Sequence, residues 1–208
     1  GQIKVELTTG AHWSDANSVL TITYINFKVT RLYDNKSITF NGVKTLKNIN
    51  GNDWLGFILS STTLKYQERA LNIAVTFDNN LSATWNSART TEWNYVQATT
   101  NPSIHYAHIV FTARGDTSLN GHTTVDSWGI NRFGENFTTY YNSAIVSNTY
   151  CGLWRFNSGE LVHHLNNADF KLTLGVDQNG NATPYACAYG YKVAWSANGN
   201  SNSVILSY

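Results

Sequence analysis

The run Ser82-Ala83-Thr84-Trp85-Asn86-Ser87-Ala88-Arg89-Thr90-Thr91-Glu92-Trp93 divides cleanly if it is a strand, because successive strand side chains point to opposite faces. Trp85, Ser87, Arg89, Thr91 and Trp93 then share one face, and Asn86, Ala88, Thr90 and Glu92 share the other. The first set brackets a guanidinium between two indoles; the second is small and polar. The preceding segment decides which face packs. Leu71, Ile73, Val75 and Phe77 alternate, and Asp78-Asn79-Asn80 has the composition of a turn. A three-residue turn sets Phe77 opposite Leu81, Val75 opposite Ala83 and Ile73 opposite Trp85. Trp85 then joins the core, with Arg89 and Trp93 at its margin. The face of Asn86, Thr90 and Glu92 becomes the place for a ligand, with Trp93 beside it.

Working outward, strand signals recur along the chain while helical ones are nearly absent: no window sustains capped i, i+3, i+4, i+7 apolar spacing. Ile3 to Leu7 alternates, Ser18 to Leu32 is long and β-branched, and Ile38 to Leu46 follows the turn at Tyr33-Asp34-Asn35-Lys36. After Asn50-Gly51-Asn52-Asp53 the chain runs from Trp54 to Leu64. Val96 to Ser103, with Asn101-Pro102, reads as a long loop or as the boundary between two β-lobes, 1–96 and 103–208. Beyond it, turns fall at Asn131-Arg132-Phe133-Gly134, Asn157-Ser158-Gly159, Asp177-Gln178-Asn179-Gly180 and Asn198-Gly199-Asn200. Strands and turns at this spacing predict an all-β, largely antiparallel, sandwich-like domain of many short strands spanning residues 1–208.

Composition narrows the function classes. Only 13% of the 208 residues are charged, about half the usual share; Asn, Ser, Thr, Gly and Tyr take the surface role. Such surfaces suit exported β-proteins and contacts to sugars through hydroxyl, amide and ring groups. The net charge is +1 with no basic run, so nucleic acid is not an expected partner. No apolar run approaches a membrane span. The chain opens at Gly1 and holds no Met, and reads as the mature or excised part of a longer precursor, on which a lipid anchor is one option. Cys151 and Cys187 lack zinc-type spacing. They are expected to form a disulfide that closes a loop of roughly 36 residues, adding on the order of 3–4 kcal/mol.

Candidate chemistry is sparse. In the register above Glu68 faces Thr90, with Glu92 diagonal to it on the same face, about 7–8 Å away. Two such carboxylates are what glycoside hydrolysis requires; the plainer reading is two solvated acids on a polar face. Arg89 between Trp85 and Trp93 either forms a cation–π platform for a sugar or anion or seals the core margin with its stem. Arg114-Gly115-Asp116 is the tripeptide integrins read, a motif short enough to arise by chance. His105 and His108, and likewise His163 and His164, point to opposite strand faces and cannot chelate together, so neither a metal nor any other cofactor is expected. Trp128, Tyr140, Tyr141, Trp154 and Trp195 exceed what a small core needs, and those near turns can stack on sugar rings.

The motif Trp85-Asn86-Ser87-Ala88-Arg89-Thr90-Thr91-Glu92-Trp93 resembles a W-x-S-x-R-T-x-x-W signature of secreted, β-rich lipoproteins of Bacteroides-like bacteria. Ala113-Arg114-Gly115, Asn131-Arg132-Phe133-Gly134 with Phe137-Thr138-Thr139, Cys151, Ser158-Gly159, Cys187 and Asn198-Gly199-Asn200 follow in order. The resemblance covers residues 20 to 208 in short pieces. It implies an exported, surface-exposed β-protein and carries over no catalytic residue. A weaker resemblance, to fimbrial subunits and adhesins, rests on composition and on the closing Val204-Ile205-Leu206-Ser207-Tyr208. The expectation is therefore a non-catalytic extracellular or cell-surface module for adhesion or for glycan or protein binding. The alternatives are a glycan-active hydrolase using Glu68 and Glu92, and a structural subunit of a surface assembly.

Overall fold

β-branched and aromatic runs become strands here, and asparagine or glycine ends them. In the computed structural model, which describes residues 1–60, 62–96, 108–183 and 187–208, the strands are β1 (Gln2–Thr9), β2 (Val19–Thr30), β3 (Ser37–Asn48), β4 (Leu64–Phe77), β5 (Ser82–Val96), β6 (His108–Gly115), β7 (Thr117–Leu119), β8 (His122–Ile130), β9 (Asn136–Asn148), β10 (Phe156–Leu165), β11 (Ala168–Val176), β12 (Gly190–Ala197) and β13 (Asn200–Ser207). Every pairing is antiparallel. Two of the tight turns, Asn120-Gly121 and Asn198-Gly199, have positive φ at both residues, the geometry that matches strand twist in two-residue hairpins. The all-β, antiparallel expectation holds.

Where a sandwich has two packed sheets, the described strands hydrogen-bond into one open sheet, ordered β1-β2-β3-β4-β5-β6-β9-β10-β11-β12-β13. β8 fills a second gap between β5 and β9: the first half of β5, Thr84–Ser87, pairs β8, and the second half, Arg89–Val96, pairs β6. β6 and β8 thus lie end to end in one rung, and the β7–β8 hairpin leaves the sheet where they meet. Among the described residues no side-chain hydrogen bond, ion pair or ring contact joins β1–β3 to β9–β13. The accessible surface is 12152 Å², against about 9,700 Å² for a compact monomer of this mass.

One face carries the core. Ala70, Ile73 and Val75 are buried against Tyr24, Ile38, Phe40, Phe77, Ala83 and Trp85. Further along this aromatic face sits a short helix, α1 (Trp54–Ser60), in the stretch the sequence left without helical signal. Asp53 starts it, its Oδ1 accepting from Gly56 N at 2.8 Å and its carbonyl from Phe57 N at 2.9 Å, the N-cap arrangement. At seven residues the helix is too short to show amphipathic periodicity, yet it buries Phe57 completely. Trp54 packs edge-on to Trp93 at 5.3 Å, Phe57 edge-on to Tyr95 at 6.4 Å, and Trp13 stacks on Tyr66 at 5.6 Å. Among the described residues the opposite, polar face carries no helix, and the β7–β8 hairpin lies against it through Asp116, which accepts from Gln67 and Arg69.

A second correction concerns Asn157-Ser158-Gly159. These residues are not a turn but the irregular start of β10, with register shifts on both sides of Ser158; the chain turns earlier, at Cys151–Arg155. Cys151 and Cys187 are joined by a disulfide with Cα atoms 5.2 Å apart, so the segments entering β10 and β12 are held together across the β10–β11 hairpin. The loop at Asn101-Pro102, together with His105, falls outside the described residues.

Candidate ligand-binding trough

β5 alternates without interruption, so its two faces are as the sequence divides them. β4 does not. Ile73 faces Trp85 and Val75 faces Ala83, as the three-residue turn requires, but an extra residue lies between Ala70 and Ile73 and Glu68 comes to face Arg89. Asn72 provides this bulge with φ of 52°, and Asn86 Oδ1 accepts from its N–H at 2.8 Å. The one-residue shift sends Glu68 to the aromatic face, while Glu92 stays on the polar face opposite Lys65. Glu68 pairs with Lys44 at 2.8 Å and accepts from Ser87 Oγ at 3.3 Å. Glu92 lies 3.8 Å from Lys65 and accepts from Asn94 Nδ2 at 3.2 Å. The two carboxylates expected on one face are separated by the sheet itself.

Arg89 is not stacked between indoles. It donates from Nε and Nη2 to the two carboxylate oxygens of Asp126 at 2.6 and 2.8 Å, and Tyr141 OH donates to Asp126 at 3.3 Å. The bonds to Asp126 drive the Arg89 pKa further up despite burial; burial, then the Asp126 charge, drives the Tyr141 phenol up. The cation–π contacts among the described residues belong instead to Arg132, over Phe77 and Phe133. Trp93 packs on Phe111 at 4.6 Å as well as on Trp54.

On the polar face of the same junction Asp116 accepts from Gln67 at 2.7 Å and from Arg69 at 2.8 Å. Burial raises its pKa, but bonds from Gln67, Thr90 and Arg69 outweigh that and hold the carboxyl below its ordinary value. This engages both Thr90 and the acid of the integrin-type tripeptide. Gly115 is required where β6 gives way to the hairpin: a Cβ there would lie 2.0 Å from Thr124 O.

From this junction a trough runs over the polar face toward β13. Its first part, about 450 Å³, is lined by Asn72, Thr84, Asn86, Asn120, Trp128, Asn136, Thr138, His164 and Asn166 among others. These come from β4, β5, β8, β9, the end of β10 and the turn after it, with the tip of the β7–β8 hairpin along one side. His164 and Asn166 also line the next depression, about 410 Å³, with Asp169, Ser196 and Asn198. Asp169 is shared with a third, about 280 Å³, which holds Tyr140, Lys171 and Ser201. Between the parts His164 Nδ1 lies 2.6 Å from Asp169 Oδ1. His163, one position away, faces the other side: Thr139 Oγ1 is 2.8 Å from its Nδ1 and Phe137 stacks on its ring. Burial, then His164, holds the His163 pKa low.

Amides, hydroxyls and ring edges dominate these walls, and Asp169 is the carboxylate they contain among the described residues. The surface offers donors and acceptors to a polyhydroxylated ligand without a strong field of either sign. Of the expected ligand positions, Asn86 lies in the trough floor, where its Nδ2 donates to Trp128 O at 3.1 Å. Thr90 and Glu92 share that face but not the lining, and Trp93 lies on the other face. Trp128 and Tyr140 were marked by their aromatic excess, whereas Trp195, marked with them, pairs Phe170 and faces the other side with His163. Asn136, Asn166 and Asp169 had no local mark, because residues of non-consecutive strands meet only once the sheet order exists. Among the described residues no cluster of three or more metal-ligating side chains occurs. The chain matches no family model, no curated protein and no solved structure.

Proposed function

We propose that the protein is an exported, surface-displayed bacterial module that binds glycans in adhesion, and that the polar-face trough is its binding site. The observation that carries this reading is the lining itself: asparagine amides and threonine hydroxyls beside Trp128 in an open groove of about 450 Å³. Sugars are recognised by this combination, in which amides satisfy hydroxyl pairs and an indole covers an apolar ring face. The disulfide supports an oxidising compartment. A hydrolase built on Glu68 and Glu92 loses its premise, since carboxylates on opposite faces cannot flank one glycosidic bond.

A glycan array followed by titration calorimetry tests the proposal. Wild type should bind at least one oligosaccharide, and Trp128→Ala should weaken that binding about tenfold or more with unchanged melting temperature. Wild type silent across the array, or a Trp128→Ala variant with full affinity, overturns it.

A further inference from the structure

β1 has β2 on one side and no strand on the other among the described residues, and all eight of its residues are exposed. An open row of backbone donors and acceptors is a template for another strand. Ile3, Val5 and Leu7 face Tyr24, Ile22 and Leu20 and continue the aromatic face, yet Ile3 is 45%, Val5 57% and Leu7 38% exposed. Gln2, Lys4, Glu6 and Thr8 continue the polar face.

We propose that β1 is the interface of a two-fold homodimer, in which it pairs antiparallel with β1 of a second copy about Val5. A two-fold axis normal to the sheet keeps each face continuous, which an antiparallel pair centred on Val5 satisfies. That register sets Val5 against Val5, Ile3 against Leu7 and Gln2 against Thr8. It also sets Lys4 against Glu6 twice, so the strand is complementary to itself in charge as well as in shape. Within one chain Lys4 Nζ already lies 2.9 Å from Glu6 Oε1, so the four groups of a dimer form an alternating row across the seam. Slipping by one residue would put apolar side chains on the polar face. A slip by two sets Lys4 or Glu6 against itself. The other edge, β13, holds no charged residue and has nothing comparable to fix a register.

Sedimentation equilibrium of the full chain tests this, with circular dichroism confirming that each variant is folded. Wild type should show a monomer–dimer equilibrium. Glu6→Lys sets lysines against each other at both positions and should weaken dimerisation about tenfold. The double exchange Lys4→Glu with Glu6→Lys reverses both signs and should restore it. A monomeric wild type up to roughly 0.5 mM, assemblies that grow beyond two copies, or a double variant no better than the single one would each overturn the proposal.

Discussion

Asn72 shows how much one backbone angle decides. Its φ of 52° is reached readily by glycine and tolerated by asparagine, but costs other residues about 1–2 kcal/mol. Because the side chain is exposed, size plays little part. Asn72→Gly should therefore leave the urea midpoint nearly unchanged, whereas Asn72→Ala should lower stability by about 1 kcal/mol. Equal losses in the two variants would assign the effect to a side-chain contact instead. Asn26 repeats the device in β2, with φ of 47° and its N–H held by Asn41 Oδ1 at 2.7 Å. Neither bulge was legible in the sequence. An asparagine inside an alternating run looks like any outward-facing polar residue, and its φ leaves no trace in hydrophobic pattern. Everything beyond Asn72 in the β4–β5 register depended on it, including the fate of Glu68.

At the scale of elements, the fork on β5 is locked from both faces. Arg89–Asp126 holds the β8 side on the aromatic face, and Arg69–Asp116 holds the hairpin entry on the polar face. Asp126 is 5% exposed and Arg89 34%. Removing the acid strands a guanidinium and the Tyr141 hydroxyl, at a cost below that of a fully buried pair because Arg89 keeps some water. Asp126→Ala should lose roughly 2 kcal/mol in urea unfolding, with an unchanged m-value. A loss under about 0.5 kcal/mol would mean that solvent replaces the pair. The sequence disclosed β5 and its partner β4 because alternation is a local signal. It could not disclose the fork, since β6 and β8 each pair only part of β5 and their contacts span 37 residues from Arg89 to Asp126. The trough, assembled from elements between β4 and β13, was illegible for the same reason, although two of its aromatics, Trp128 and Tyr140, stood out by number.

For the whole molecule, the described residues pack a helix and a loop on one face of the sheet and leave a trough open on the other. The proposed glycan site would lie in that open trough, and a dimer through β1 would place two troughs on one continuous surface, where a polymeric ligand could engage both. The disulfide has a mechanical consequence for a chain under tension. Cys151 and Cys187 are 36 residues apart in sequence but 5.2 Å apart in space, so tension passes across the bond and the β10–β11 hairpin between them bears none of it. Stretched to full length, the oxidised chain should be shorter than the reduced chain by about 120 Å, given up to ~3.5 Å per residue. Single-molecule pulling with and without reductant measures that difference directly, and equal lengths would mean the bond is absent. Oxidised, the shielded hairpin keeps the β10 and β11 walls of the trough together while strands outside the bridge are pulled away.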